Sequence, residues 1–370
     1  MMRVRTLFAA VVVLAALTLL VSASPVGASQ LLIGGTLDIE GRLMTGLDEP
    51  ILEQEVGLTL NMSQFVGDVG FQASVEILQQ GLEWDLNLRE AYAELFTDRT
   101  DYRIGRQLIP WGVMDGASPV DVLNPVDLQR PLSANNRLEV EAVRARHFAG
   151  DWEFDGVWVP LFRGHRLPES LPNHELPEGS LTNGEVGLRV SRWFPGMDAA
   201  AVYVRGWDRE PLMSVDETTG EIGFRHQRQQ LFGIGLTTDF GSWIGRGEVA
   251  YILPEETGRK VDYAVGVDLN LPGDWFAILQ YNGRWVEDDD DLHRLGGSLQ
   301  YQATPYLQVA LNGAYNLSDK SYLLNPSVSW DAADGLQVTA GAYIIGGDEG
   351  TQMQRMGAEQ KVYAGVSVAF

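Results

Sequence analysis

Seven side chains suited to bind ions or polar solutes lie in one short part of the chain: Arg106, Gln107, Trp111, Asp115, Asp121, Asn124 and Asp127. Their guanidinium, amide and indole groups donate hydrogen bonds, and their carboxylates attract cations. The last four belong to residues 112–137, a segment rich in Pro and Asp. The chain lacks two signatures of nucleophilic catalysis, because it has no cysteine and no Gly-x-Ser-x-Gly sequence. This set is therefore suited to hold or pass solutes rather than to transform them.

The five histidines do not add a catalytic site. None has a Ser or Asp at a spacing that would indicate a catalytic site, and no two have the spacing of a helical metal site. The acidic run at residues 287–291 could bind a divalent cation through Asp288, Asp289 and Asp290, although such a run is more often a solvated loop tip. We expect no enzymatic activity, no cofactor and no metal centre.

The charge balance of the chain is strongly acidic. The sequence has 50 acidic residues against 27 basic ones, which gives a formal net charge of −23. A surface of this charge repels nucleic acid, so nucleic-acid binding is not expected. The absence of cysteine also excludes a lipoprotein anchor and a disulfide framework.

The N-terminus has the pattern of an export signal. Arg3 and Arg5 precede an apolar run, residues 7–21, and small residues follow up to Ala28. This order predicts a signal peptide, residues 1–28, that is removed after Ala28. The apolar run is shorter than the roughly 20 residues that a membrane-spanning helix needs, and no other stretch approaches that length. A mature chain, residues 29–370, that enters a membrane must therefore do so as a β-barrel.

Apolar and polar residues alternate through the rest of the sequence. In the last ten residues, Val362, Val366 and Phe370 alternate with small or polar residues, which is the period of a β-strand. Segments close to the 9–11 or so residues of a spanning strand recur about 18 times, with 16 as the main alternative. We predict an all-β fold, a transmembrane antiparallel β-barrel in a bacterial outer membrane. The apolar parity changes near Arg89 and Glu90, which predicts a β-bulge.

The predicted connections fall into two classes. Every second one is a tight turn, such as Gly67-Asp68 or Gly150-Asp151. The others include all the long ones, near residues 112–137, 161–182, 208–226 and 346–359. Short periplasmic turns that alternate with long external loops are typical of outer-membrane barrels. Aromatic residues cluster beside the short turns, as expected for a girdle at the membrane interface.

Residues 89–130 contain a sequence motif. Its members are Gly105, Arg106, Gln107, Trp111 and Gly112, followed by Asp121, Asn124, Pro125 and Asp127. On these residues the chain resembles an uncharacterised family of Gram-negative outer-membrane barrel proteins, in which a Gly-Arg-Gln…Trp-Gly motif precedes an Asn-Pro-x-Asp loop. More distantly it is similar to the alginate-export type of porin. That resemblance implies a barrel of about 18 strands.

The longest predicted loop, residues 112–137, is more apolar in its middle than an exposed loop should be. Folding into the lumen would cover its apolar side chains, and it would narrow a barrel that is otherwise wide enough for an aqueous channel. Arg106 and Gln107 could pin this loop to the wall, contact solutes, or do both. The sequence therefore predicts a constriction formed by this loop.

Strand parity assigns charged side chains of both signs to the lumen: Asp38, Glu40, Arg189, Arg205, Arg246, Asp262, Asp268 and Arg284. Fields of this kind favour polar or charged solutes over apolar ones. In the loop, Asp115, Asp121 and Asp127 would set ion preference, because a narrow passage screens charge weakly. Arg205 and Arg246 are their candidate counter-charges.

These features favour an outer-membrane porin-like channel for passive diffusion of small hydrophilic solutes. Two alternatives stay open at this point. One is a dedicated transporter of a polysaccharide or organic acid, and the other is a plugged barrel with a structural or adhesive role. The expected partners are outer-membrane lipids, lipopolysaccharide, the barrel assembly machinery and the solutes.

Phe370 ends the apolar stripe of the final strand, and we expect the assembly machinery to read this residue as an insertion signal. Deleting Phe370 should lower the amount of folded, heat-modifiable protein in outer-membrane fractions. Unchanged assembly after the deletion would contradict this expectation.

Overall fold

The computed structural model describes residues 31–45, 51–133, 136–168, 174–215, 222–348, 351 and 360–370. The predicted signal peptide, residues 1–28, lies outside them. No helix in the described part of the chain is long and apolar enough to span a membrane. Strands account for nearly all the regular structure of these residues, with one short 3₁₀ turn at Leu181–Asn183. The prediction of an all-β fold is confirmed.

Eighteen strands form one sheet. They are β1 (Leu32–Met44), β2 (Ile51–Val66), β3 (Val69–Gln80), β4 (Glu83–Phe96), β5 (Thr100–Gln107), β6 (Val140–Ala149), β7 (Trp152–Val159), β9 (Glu185–Phe194), β10 (Met197–Trp207), β13 (Arg228–Asp239), β14 (Trp243–Pro254), β15 (Lys260–Leu271), β16 (Trp275–Val286), β17 (Leu292–Thr304), β18 (Leu307–Asn316), β19 (Tyr322–Ala333), β20 (Leu336–Gly346) and β21 (Lys361–Ala369). Three short strands, β8 (His174–Glu175), β11 (Leu212–Val215) and β12 (Ile222–Arg225), form a separate small sheet.

The large sheet closes on itself. Each strand pairs antiparallel with its neighbours in the barrel, and β21 pairs with β1 to complete the ring. Gly35 and Phe370 extend this seam by two backbone hydrogen bonds of 2.9 and 3.0 Å. A closed ring has no free edge, so its backbone groups need no partner from the lipid. The predicted count of 18 strands is confirmed, and 16 is excluded.

Side chains alternate between the two faces of the barrel wall. In β15, Val265 is 56% exposed whereas its neighbour Ala264 is fully buried. The exposed side chains of the outer face are mainly large and apolar, as a lipid-facing wall requires; Val309 and Leu311 of β18 are examples. Asn312, between Leu311 and the next outward residue, points to the inside.

The predicted β-bulge lies in β4. Ser74 of β3 pairs with Glu90, and the next residue of β3, Val75, pairs with Leu88. Arg89 is thereby left out of the register, which is the definition of a bulge. The prediction from the change of parity is confirmed.

The two ends of the barrel differ. At one end, the short-turn rim, the strands are joined by tight turns such as the one at Gly67. Exposed aromatic side chains gather at this rim: Phe65, Phe148, Trp152, Trp243, Trp275, Tyr306 and Phe370. The opposite end, the long-loop rim, carries the connections at residues 108–139, 160–184 and 208–227. The barrel thus has the asymmetry of short turns and long loops that the sequence predicts.

Charge on the outer wall should be far more costly than charge in the lumen. Val265→Arg places a guanidinium against lipid and should lower the free energy of unfolding by roughly 2–4 kcal/mol. Asn312→Arg places the same group in a wet lumen and should cost much less. Denaturant unfolding of both variants in lipid vesicles measures the difference. Equal costs would contradict the assignment of the two faces.

Candidate functional site: a loop packed inside the barrel

The connection between β5 and β6, residues 108–139, turns back against the inside of the wall, and we call it the inner loop. Asn124 ties its two ends together. The Oδ1 of Asn124 accepts a hydrogen bond from Ile109 N at 2.7 Å, and its Nδ2 donates to Leu138 O at 2.9 Å. Gln107, the last residue of β5, is fully buried and donates to Ala142 O at 3.1 Å. These contacts fix the root of the inner loop.

A hydrophobic cluster fixes the middle of the inner loop. Four of its side chains are almost fully buried: Ile109, Trp111, Val120 and Leu123. They pack on inward-facing residues of the wall: Val140, Ala142, Val157, Val159, Val202, Val204, Leu231, Ala250 and Ile252. Burying one apolar side chain of this size contributes about 1.5–3 kcal/mol. The apolar composition of the loop therefore matches an apolar patch on the inner wall.

Two strand glycines make room for this packing. A Cβ atom on Gly187 of β9 would lie 2.5 Å from the Trp111 ring, and one on Gly233 of β13 would lie 2.5 Å from Val120 Cγ1. Neither distance is tolerated between carbon atoms, and the atoms on the loop side belong to side chains that are themselves buried. Glycine at these two positions lets the inner loop approach the wall closely.

Polar contacts attach the tip of the inner loop to β14. Glu248 accepts hydrogen bonds from Val113 N and from Ser118 Oγ, the latter at 2.5 Å. Arg246, two residues earlier, donates to Val113 O at 3.0 Å and forms an ion pair with Asp115 at 2.8 Å. The buried carboxylate of Glu248 and the guanidinium of Arg246 thus bind the backbone N–H and C=O groups of Val113.

The tip of the inner loop also reaches β16. Ala117 O accepts hydrogen bonds from Gln280 Nε2 at 3.1 Å and from Asn282 Nδ2 at 2.8 Å. Both side chains point inward from the wall. The loop leaves the ring at β5 and contacts it again at β14 and β16, so it runs across part of the lumen.

Trp111 has a polar partner as well as an apolar one. Its Nε1 donates to Asp155 Oδ2 at 2.7 Å, and Arg144 donates to the same carboxylate at 2.6–3.1 Å. Asp155 is almost fully buried. A buried carboxylate needs such partners, because an uncompensated charge away from water is costly. Trp111 is therefore an anchor whose indole completes the hydrogen bonding of an ion pair in the wall.

The three loop carboxylates each have an arginine partner. Asp121 pairs with Arg137, and Asp127 pairs with Arg166 at 3.2 Å. Both carboxylates are nearly buried, whereas the side chain of Asp115, the partner of Arg246, is 54% exposed. Of the three, Asp115 is the carboxylate that faces water.

Arg106 binds the wall rather than the tip of the loop. It donates to Glu141 at 2.5 and 2.9 Å and to Leu88 O at 2.9 Å. The preceding motif residue, Gly105, has a φ of 130°, and a Cβ there would lie 2.2 Å from Ala91 O. Glycine at this position is required by backbone contact, and it places Arg106 beside the bulge.

A small cavity of about 30 Å³ lies at the root of the inner loop, lined by Arg89, Arg106, Asp127, Glu139, Arg163 and Arg166 among others. Arg89 pairs with Glu139 at 2.9 Å. Burial lowers the pKa of Arg163 to about 10, and the nearby Arg106 adds to this effect. Burial also disfavours the charged form of Glu139, and it therefore raises the pKa of that carboxyl group. The cavity is a crowded set of charges that hold one another in place.

Most other predicted lumen residues form ion pairs along the wall. Arg284 binds Asp262 through two contacts of 2.7 Å and also binds Glu210 at 2.6 Å. Asp268 pairs with Arg246, which places a second carboxylate beside the loop contact. Arg189 pairs with Glu153 at 3.3 Å.

Glu210 belongs to the connection after β10. Burial opposes its charge, but Arg284 and Lys260 outweigh that effect and lower the pKa of Glu210 to about 2. A lowered pKa means that the contact adds stability above the ordinary pKa of 4.5 and loses it as the pH falls through about 2. This contact should therefore persist in mildly acidic media.

The first strand places its charges as predicted by parity. Glu40 pairs with Arg42, and Arg42 also pairs with Glu55 of β2 at 3.0 Å. Asp38 lies on the same face and is exposed. Glu55 also accepts a hydrogen bond from Arg130 of the inner loop at 2.9 Å, so the loop is tied to this part of the wall as well.

The prediction that Arg205 lines the lumen is wrong. Its neighbours Val202 and Val204 point inward and pack with the inner loop, and Arg205 has the opposite parity. Arg205 pairs in register with Val186, an exposed apolar residue of the outer face. Of the two candidate counter-charges, Arg246 alone contacts Asp115.

The weak metal candidate at Asp288, Asp289 and Asp290 is not supported. No group of three or more His, Cys, Asp or Glu side chains in the described residues is arranged to hold a metal ion. Asp289 Oδ1 instead accepts a hydrogen bond from Asp290 N at 2.8 Å, as in a loop tip.

Sequence reasoning missed two residues of the site. One is Glu248. Strand parity predicts that its side chain points inward, but nothing in the sequence predicts its contacts with the loop. The other is Arg209, which pairs with the buried Glu185 at 2.7 Å and donates to Leu123 O at 2.7 Å. Arg209 thereby links a second connection to the inner loop.

The fold is that of outer-membrane porins. A BenF-like porin from Pseudomonas fluorescens Pf-5 superposes with a TM-score of 0.60 at 7% identity, over 93% of this chain and 99% of that one. OccD3 (OpdP) of Pseudomonas aeruginosa gives 0.57 at 10% identity, over 93% of each chain. An anion-selective porin from Comamonas acidovorans gives 0.51 at 12% identity, over 92% of this chain and 99% of that one. No protein-family model and no curated protein matches the sequence.

Glu248 should control how firmly the inner loop is held. Glu248→Ala removes two charge-assisted hydrogen bonds, each worth about 1.5–3 kcal/mol, and should increase local opening of the loop tenfold or more. A cysteine at the buried position 120 reports this opening, since the chain has no other cysteine. Its labelling rate with a water-soluble thiol reagent should rise in Glu248→Ala.

The matched control is Glu153→Ala, which removes an inward carboxylate that pairs with Arg189 and not with the loop. Labelling at position 120 should be unchanged by it. Equal labelling rates in the two variants would contradict the role given to Glu248.

Proposed function

We propose that this protein is an outer-membrane channel for passive diffusion of small hydrophilic solutes, and that the inner loop forms its constriction. The observation that carries the proposal is the contact of the loop with β14 and β16 inside a closed ring of 18 strands. A barrel of this size without an inner loop would leave a wide aqueous lumen. Packing a loop against one side of the wall narrows that lumen without filling it.

The state of the opposite wall favours a channel over a plugged barrel. Asn312 of β18 and Gln337 of β20 point inward and are exposed to solvent. The described hydrogen bonds of the inner loop reach β2 and β4 in one direction and β14 and β16 in the other, and none of them reaches β17 to β20. A plug would cover both walls, so this observation supports an open passage.

Ion preference follows from the pairing of the carboxylates. Asp121 and Asp127 are nearly buried and each is paired with an arginine, so their net fields are weak. Asp115 is paired but exposed, so it acts on ions in the passage. Asp115→Asn should shift the reversal potential towards anions more than Asp127→Asn does.

A deletion tests the constriction directly. Removing residues 114–130 should raise single-channel conductance and weaken ion selectivity, because the loop no longer occupies the lumen. Removing residues 212–225, which include the short hairpin strands β11 and β12, should do neither. Heat-modifiable mobility of both variants shows that the barrels are folded.

Two results would overturn the proposal. A folded wild-type barrel that conducts no ions in planar bilayers would favour a plugged barrel with a structural role. Equal conductance of the two deletion variants would show that the inner loop is not the constriction.

A further inference from the structure

The lumen wall is uneven in charge. From β5 to β16 the inward-facing charges are frequent and paired, and the inner loop covers part of that region. Strands β17 to β20 are described in full, and their inward side chains are mainly amides, hydroxyls and small residues. Their inward charges lie only at the ends, with Arg294 towards the long-loop rim and Asp331 towards the short-turn rim. We call the region between them the uncharged wall.

The uncharged wall is organised in rows by strand register. Ser298, Asn312 and Asn325 lie side by side across β17, β18 and β19. Ser329 and Thr339 lie side by side across β19 and β20, with their hydroxyl oxygens 3.1 Å apart. Such rows present donors and acceptors at two levels of the wall without a net charge.

These side chains are partly satisfied by one another and stay accessible to water. Gln300 Nε2 donates to Ser298 Oγ at 3.1 Å. Asn312, near the middle of β18, is exposed. Amides and hydroxyls held this way keep spare hydrogen-bonding capacity, which a passing solute can use in place of water.

An aromatic face borders the same wall. Tyr343 of β20 points inward, is partly exposed, and stacks on Tyr363 of β21 with ring centroids 5.1 Å apart. Tyr363 is buried, and its hydroxyl accepts a hydrogen bond from Asn325 Nδ2 at 3.0 Å. The buried ring fixes the exposed one. An immobile tyrosine offers a flat apolar surface with a polar edge.

We propose that the channel prefers neutral polyhydroxylated solutes, namely sugars and polyols, which pass along the uncharged wall. This inference rests on the proposed function and names its substrate class. A hydroxylated solute can exchange hydrogen bonds with water for bonds to the amides and hydroxyls of the wall, and its C–H groups can contact Tyr343. No charge has to be desolvated in that exchange, so the free-energy barrier stays low.

A charged solute gains less stabilisation from the side chains of this lumen. The charges on the other side of the lumen are bound to each other: Arg284 is held by Asp262 and Glu210, and Arg246 by Asp115 and Asp268. Each group keeps one carboxylate in excess, but the close opposite charge and the water of the lumen weaken its field at a distance. An ion that sheds part of its hydration shell in the constriction therefore finds few free counter-charges.

Liposome swelling with three related pyranoses tests the preference. Glucose is neutral, glucuronate is an anion and glucosamine is a cation, and all three have similar size. Wild-type protein should pass glucose severalfold faster than either charged sugar. Equal rates for all three sugars would overturn the inference, and so would a faster rate for either charged one.

A substitution places a charge in the uncharged wall. Asn312→Asp should raise the rate for glucosamine and lower the rate for glucuronate relative to glucose. The matched control is Asn312→Gln, which keeps an amide at this position and adds no charge. The control should leave the rate ratios unchanged.

The outcomes separate this inference from the proposed function. If wild-type protein neither conducts ions nor passes any sugar, the channel itself is refuted. If it conducts ions while the three sugars pass at equal rates, or if Asn312→Asp leaves their ratios unchanged, the channel stands and the preference for neutral solutes is refuted.

Discussion

The pairing of the last strand with the first is the constraint on which the rest of the structure depends. Lipid offers no hydrogen-bond partners, so every backbone group of a spanning strand must be satisfied within the sheet. The seam between β1 and β21 meets that requirement and leaves no edge. Once the ring is closed, strand alternation divides the side chains into a lipid-facing set and an inward set. The inner loop then packs against side chains of the inward set.

The inner loop turns part of the inward set into a small core. Its apolar residues pack on valines and leucine of the wall, and Gly187 and Gly233 let the two surfaces approach. Glu248 and Arg246 then fix the tip of the loop by polar contacts. The described polar contacts of the loop lie on strands that carry inward charges, and none of them lies on β17 to β20. Under the proposed function, this packing narrows the lumen beside its charged strands.

The sequence predicts the strands well because alternation is a local property. Parity located the strands, and its break at Arg89 predicted the bulge. Parity failed at Arg205 because β10 carries apolar residues on both faces: Tyr203 faces outward, while Val202 and Val204 meet the inner loop. Parity treats the apolar face of a strand as the lipid-facing one, but in β10 the apolar residues Val202 and Val204 face the lumen. The functional meaning of the Gly-Arg-Gln…Trp-Gly resemblance stays a prediction.

Contacts between distant parts of the chain could not be predicted. Asp115 and Arg246 were paired as a candidate from charge alone, but nothing in the sequence connects Val113 or Ser118 to Glu248. Their meeting depends on how far the loop crosses the ring, which is set by packing against Trp111 and Val120. The uncharged wall was also not recognised from the sequence, since its amides become a surface only when neighbouring strands are aligned.

Cross-linking across the lumen tests the central claim, that the inner loop crosses the lumen to β16, most directly. The chain has no cysteine, so a pair at positions 117 and 282 can be read without background. Their parent residues meet at 2.8 Å, between Ala117 O and Asn282 Nδ2. A short bifunctional thiol reagent should link this pair in intact outer membranes as readily as a pair at the register partners 298 and 312. Linkage of the wall pair without linkage of the 117–282 pair would contradict the account.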